Sequence, residues 1–282
     1  MKKLHAILIL ISLVIICSSF SVVWPQVSDQ GSSATHLVAA GSGVNLAITR
    51  VLAEAFMKEN PHITIDVPGS IGTKGAIKAA VDNAIAIGLI SRPLNEYEKG
   101  LGLAVVPYAR SAIVIGVHPN VEEEGISFDD LVLIFQGTKA KWGDGNEIVV
   151  ISREQGDSGF QVIEKAVPGF REAYAESQQA RRWAVYFTDQ DANLALTSRP
   201  YSVGVSDFGM ITTEKLNIKV LKVNGLLPTA DNVLSGQYPL TRTLSFVHSK
   251  QNVSEAVKAF IEFVRSEAGA KVLKTNGYLP VD

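Results

Sequence analysis

An apolar strand, then a turn rich in glycine and hydroxyl residues, then an amphipathic helix: this order recurs along the chain and limits what it can fold into. HLVAA at 36–40 reads as a strand, and GSGVNLAITRVLAEAFMKENP follows as turn and helix. Val44, Ile48, Val51, Leu52 and Ala55 fall on one helical face, and Pro61 marks the exit. HITIDVP is then an alternating strand, GSIGTKG a glycine loop, AIKAAVDNA a short helix, and IAIGLIS an apolar run suited to a buried parallel strand. Such alternation predicts an α/β fold with a parallel sheet. Further strands are expected at LAVVPYA, SAIVIGVH, IVVISR, YSVGVSD and IKVLKV, and further helices over 128–135, 158–167 and 253–273.

Three of the strand-to-helix turns share a composition: GSGVN at 41–45, GSIGTKG at 69–75 and REQGDSG at 153–159. Helix N-termini carry unpaired N–H groups and a positive dipole end, and glycine lets an anion approach the backbone. Converging on one cleft, the three would form an oxyanion site. Ser and Gly also cap helices for stability alone, so each turn by itself has a structural reading. Arg153 beside one turn and Lys74 within another favour the anion.

Composition narrows the partners. The hydrophobic share of 46% over 282 residues supports a sizeable core and excludes disorder. With 26 Lys and Arg against 28 Asp and Glu, the net charge of −2 offers no footprint for nucleic acid. An anionic ligand must therefore be held by local geometry. Residues 1–30 have the order of a secretory signal, with Lys2 and Lys3 before an apolar run from Ala6 to Cys17; a retained anchor is the alternative, since the uncharged stretch continues through Trp24. Cys17 is the only cysteine, and Ile16 before it speaks against a lipoprotein signal. No disulfide, metal site or cofactor is expected in the rest; the histidines have no H-x-x-x-H spacing.

Gly156-Asp157-Ser158-Gly159 matches the letters around the nucleophile of trypsin-like proteases. A serine hydrolase using Ser158 is thus an alternative from another class. It conflicts with the helical pattern of FQVIEKAV after the serine and with the α/β order, and the motif is not a G-x-S-x-G elbow. The reading adopted is a binding protein, not an enzyme.

With these turns in place, the chain resembles the periplasmic phosphate-binding proteins of ABC transporters, within the type II solute-binding group. AAGSGVNLAITRVLAEAF, VPGSIGTKGAIKAAVDNAIAIGLISRPL, IFQGTKAKWGDGNEIVVISREQGDSG, YPLTRTLSFV and SEAVKAFIEFVRSEAGAKVLKTNGYLPV carry the likeness. It implies a two-lobed periplasmic-binding-protein-like fold with a cleft between lobes, lobe I being 36–115 plus 238–282 and lobe II 116–237. It also implies export to the periplasm or cell exterior, phosphate or a similar tetrahedral oxyanion as ligand, an ABC permease as partner, and no nucleic acid; a monomer is expected. Carried over by position, the ligand-binding candidates are Gly43, Val44, Asn45, Thr73, Ser91, Arg153, Asp157, Ser158 and Gly159, with Lys74, Asp189 and Gln190 weaker. Lys74 and Arg92 are candidate rim charges, and Trp142 reads as packing. An anion-sensing or scavenging role for another ligand is a further alternative.

Three positions depart from the family pattern. Asn45 stands where Thr or Ser is common, Ser91 where some members have a proton-accepting aspartate, and GDSG where GSGT is usual. Telling hydrogen phosphate from sulfate needs an acceptor for the phosphate proton, since a donor-only pocket suits both ions. Asp157 is the candidate acceptor; its alternative is to cap the following helix or pair with Arg153.

Overall fold

The chain's turns place its strands and helices in an order that a computed structural model describes for residues 34–281. β1 (Thr35–Gly41), α1 (Gly43–Glu59), β2 (Ile63–Asp66), α2 (Gly72–Val81) and β3 (Ile87–Ile90) follow the expected alternation. α3 (Glu96–Lys99), β4 (Leu103–Val117), β5 (Gly125–Ile126), α4 (Phe128–Gln136), β6 (Val149–Arg153) and α5 (Ser158–Ala166) come next. α6 (Phe170–Gln179), β7 (Ala184–Tyr186), α7 (Asp189–Ser198), β8 (Ser202–Asp207) and α8 (Phe208–Glu214) precede β9 (Lys219–Val220), β10 (Lys222–Val223) and α9 (Ala230–Leu234). The order closes with β11 (Thr241–Ser249), α10 (Glu255–Arg265), α11 (Glu267–Thr275) and β12 (Leu279–Pro280).

The main sheet runs β2-β1-β3-β11-β4-β8-β6-β7, and it is mixed where a parallel one is expected. β1 is parallel to β2 and β3, and β6 to β7 and β8, but β4 and β11 lie antiparallel between these two parallel groups. LAVVPYA and SAIVIGVH form one 15-residue strand, β4. Pro107 has no N–H for the ladder, and the register slips there: Leu244 faces Ala109 while Ser245 faces Pro107, so a bulge keeps the strand continuous. IKVLKV divides between β9 on the main sheet and β10 against β5. The helix expected over 253–273 breaks at Ser266, whose extended backbone and hydroxyl cap α11 through the Gly269 N–H.

Period-two alternation along the strands separates the apolar layers. In β3, Ile87 and Leu89 join a core with Val44, Ile48, Leu52 and Phe56 of α1, while Ile90 points to α2. Burying each of these large side chains contributes roughly 1.5–3 kcal/mol before entropy is set against it. In β4, Ile113, Ile115 and Val117 join a core with Phe135, Phe160 and Phe170, while Val114 packs toward α7. Core membership changes between Ala109 and Ala112 on β4, and between Leu240 and Leu244 at the start of β11. The two crossings are tied together: Ile113 N donates to Leu240 O at 2.8 Å, and Tyr238 Oη to Ile113 O at 2.8 Å. Trp142 is buried in the second core, and its indole N–H donates to Tyr201 O.

The signal or anchor reading of residues 1–30, and Cys17 with it, lies outside the described residues. Among those described, no helix is long and apolar enough to cross a membrane.

Candidate functional site

The turns after β1, β3 and β6 and the starts of α2, α5 and α7 surround a cavity of 580 Å³. Ser42, Ser70 and Thr73 line it from the first core's side, and Arg153, Ser158 and Asp189 from the second's.

Hydroxyls meet at its edge. Ser91, 2% exposed at the end of β3, has Ser42 Oγ at 2.9 Å, Thr73 Oγ1 at 3.4 Å and Ser158 Oγ at 2.8 Å. Ser42 stands at the N-cap of α1 but makes no side-chain capping bond, so its hydroxyl is free for this cluster. Ser158 opens α5, whose cap is Asp157, and its Oγ also accepts from Arg242 Nη1 at 3.0 Å. Arg242 is itself buried on β11 and pairs through Nε with Asp207 at 3.1 Å. Burial works against the Arg242 charge, but Asp207 and Asp189 outweigh it and hold the pKa above the ordinary value.

Arg153, at the end of β6, is 5% exposed and donates from Nη2 to Asp157 Oδ2 at 2.9 Å. Its Nε and Nη1 are buried without a partner. Unsatisfied buried donors are costly, about 1–3 kcal/mol and more for charged groups, so they mark a place for an acceptor. Asp157 is fully engaged: Oδ1 accepts from Gly159 N and Phe160 N, and Oδ2 takes Arg153. Asp189, first residue of α7, has its Oδ2 4.0 Å from Arg153 Nη2. Burial pushes the Asp189 carboxyl above the usual aspartate range, against the pull of Arg153. Glu154 also lines the cavity and is raised by burial, again opposed by Arg153.

Thr73, Arg153, Asp157, Ser158, Lys74 and Asp189 all line the cavity, and Ser91 sits at its hydroxyl junction. Gly43 lines it too, and its carbonyl accepts from Gln190 Nε2 at 3.1 Å. Three expectations are placed differently. The Val44 side chain belongs to the first core. Asn45 turns inward, both Nδ2 hydrogens being used, on Tyr108 Oη at 3.0 Å and Ile90 O at 3.3 Å, so it has no donor left for a ligand. The Gly159 N–H is taken by Asp157. Sequence reasoning missed Ser42, Ser70, Glu154 and Arg242 around the site. Ser42 was legible as the hydroxyl of the first glycine turn; Arg242 lay in YPLTRTLSFV with no local motif to single it out. Among the described residues, no group of three or more His, Cys, Asp or Glu side chains is placed to hold a metal ion.

Apolar clusters along one mixed sheet, the two largest at its opposite ends, with helix starts, hydroxyls and a buried arginine around a cavity, define a two-lobed α/β protein of the solute-binding type. The profile of the PBP superfamily domain matches residues 27–268, and the chain belongs to that family. It is 26% identical over 257 residues to the phosphate-binding protein PstS of Bacillus subtilis, an alignment covering 87% of this chain and 80% of that protein. To the protein SphX of Synechococcus elongatus it is 28% identical, covering 90% and 80% respectively. An X-ray structure from Clostridium perfringens, of a protein assigned as a phosphate ABC transporter substrate-binding protein with bound phosphate, superposes with a TM-score of 0.78. That likeness is 24% identical in sequence and covers 88% of this chain and 100% of the other. The family resemblance read from the turns therefore holds.

Proposed function

We propose that this chain is an extracytoplasmic solute-binding protein that closes on phosphate, or a related tetrahedral oxyanion, and presents it to an ABC permease without bond chemistry. The observation that carries the reading is Arg153, buried in the cavity wall with two guanidinium nitrogens unpartnered. A tetrahedral anion there would accept a charge-assisted hydrogen bond from one of these free nitrogens. Ser42, Thr73, Ser91 and Ser158 supply hydroxyls that turn to donate. Names and bound ligand among the relatives point the same way.

The acceptor of the phosphate proton is then assigned to Asp189, not Asp157. Both carboxylates line the cavity, but Asp157 already accepts from Gly159 N, Phe160 N and Arg153 Nη2, whereas the Asp189 carboxyl accepts no hydrogen bond from a described residue. Ser158 acts as a hydroxyl ligand; its oxygen is held by Arg242 and Ser91.

Calorimetric titration with phosphate, with sulfate as competitor, after unfolding and refolding to strip bound ion, tests the reading. One-to-one phosphate binding that sulfate does not displace is expected. An absence of phosphate binding would overturn the ligand assignment.

A further inference from the structure

The charged lining of the cavity described above is balanced: Lys74, Arg92 and Arg153 stand against Glu154, Asp157 and Asp189. Across the Ser91–Ser158 contact lies a second cavity, of 610 Å³, and its charge is one-sided. Lys74, Arg92, Arg110, Lys165 and Arg242 line it, and among the described residues no carboxylate does. Two of the five are compensated from behind, Arg92 by Glu98 at 2.7 Å and Arg242 by Asp207 at 3.1 Å. Lys74, Arg110 and Lys165 form no ion pair with a described carboxylate. In a chain of net charge −2, this is a local concentration of uncompensated positive charge.

The elements aim other polar groups at the same space. Ser158, Gln161 and Lys165 recur along one face of α5 at helical spacing. Arg110 of β4 pairs in register with Thr243 of β11, and both line the cavity with Thr241. Volume and lining together select a ligand. The space lies within the roughly 300–1,000 Å³ typical of small-molecule sites, larger than a single tetrahedral ion needs. Apart from Val162 and Pro93 every lining residue carries a polar or charged side chain.

We propose that this cavity is a second anion compartment, which takes a ligand carrying two or more phosphoryl groups, of the inorganic diphosphate class. It shares Lys74, Arg92 and Ser158 with the first cavity, so the two are neighbouring chambers of one cleft. A polyanion matches a lining of five cations without a carboxylate, whereas a single oxyanion is served by the balanced chamber beside Arg153. The compartment stands on its own lining and goes beyond the phosphate reading.

The test is calorimetric titration of the full chain with inorganic pyrophosphate and, separately, with phosphate, at low and high salt. Wild type is compared with Arg110→Gln/Lys165→Gln and with Lys165→Gln alone. Pyrophosphate affinity should fall at least tenfold in the double variant, less in the single one, with a shallower salt dependence and phosphate affinity within twofold of wild type. Wild type that fails to bind pyrophosphate, or variants that bind it as tightly as wild type, would overturn the proposal. Equal loss of both ligands would overturn it too. Charge-dependent pyrophosphate binding without phosphate binding would keep the compartment and remove the phosphate reading.

Discussion

Ser91 Oγ and Ser158 Oγ lie 2.8 Å apart, although one ends a strand of the first core and the other opens a helix of the second. The contact joins the two walls of the cleft at the point where its chambers meet, and Arg242 holds the Ser158 side of it from a third element. In the proposed function, closure and ligand recognition would use the same hydroxyls.

Ser158→Ala tests that dual use. It removes a hydroxyl from the anion site and leaves Arg242 Nη1 short of its partner. A hydrogen bond to a charged group is worth about 1.5–3 kcal/mol, so phosphate affinity should fall roughly 10- to 100-fold. Calorimetry measures the loss, and unchanged affinity would remove Ser158 from the site.

Gly43→Ala tests closure through the contact between the starts of α1 and α7. A Cβ there would lie 2.5 Å from Asp189 Oδ2 and 2.9 Å from Gln190 Oε1, so these side chains or the start of α7 must shift. Within α1 alanine is favoured over glycine by about 1 kcal/mol, so the fold itself should not suffer. Small-angle scattering with saturating phosphate should show a more open molecule than wild type, with affinity down by roughly an order of magnitude. A wild-type scattering profile would show that the clash is absorbed locally.

Asp189→Asn should act on both stability and ion choice. The native carboxyl keeps its proton to higher pH than the unfolded chain does, because burial disfavours its charged form. The stability this gives in acid is lost as pH rises from the ordinary value of 3.8 through the raised one. The empty variant should thus be more stable than wild type at neutral pH, the two converging in acid. Urea unfolding at several pH values reads this. If Asp189 accepts the phosphate proton, the variant should also admit sulfate as a competitor, while Asp157→Asn should not. The reverse pattern would return the role to Asp157.

Asp207→Ala probes the support behind the site. Asp207 is 1% exposed, pairs with Arg242, accepts from Ser111 Oγ and caps α8 through Met210 N. Removing one partner of a buried pair costs about 3–5 kcal/mol, so the melting temperature should drop by several degrees or more. Asp207→Asn keeps an acceptor for the cap and should lose less. Equal, small losses would mean that Arg242 finds another partner.

The strand, turn and helix order, the positions of most elements and the three similar turns were legible in the sequence, because apolar periodicity and glycine are local signals. So was Arg153 as the cation beside one turn. Tertiary structure alone decided which side chains face the cavity. Asn45 spends its amide on Tyr108, 63 residues away; Ser91 meets Ser158 across 67 residues, and Arg242 reaches Ser158 across 84. The antiparallel place of β4 and β11 at the centre of the sheet is equally non-local, since it depends on pairing partners and not on the pattern within either strand. The proposed choice between Asp157 and Asp189 as acceptor rests on the same kind of contact. Both line the cavity, but one caps a helix and pairs with an arginine, while the other, a weaker candidate in the sequence, makes no such hydrogen bond.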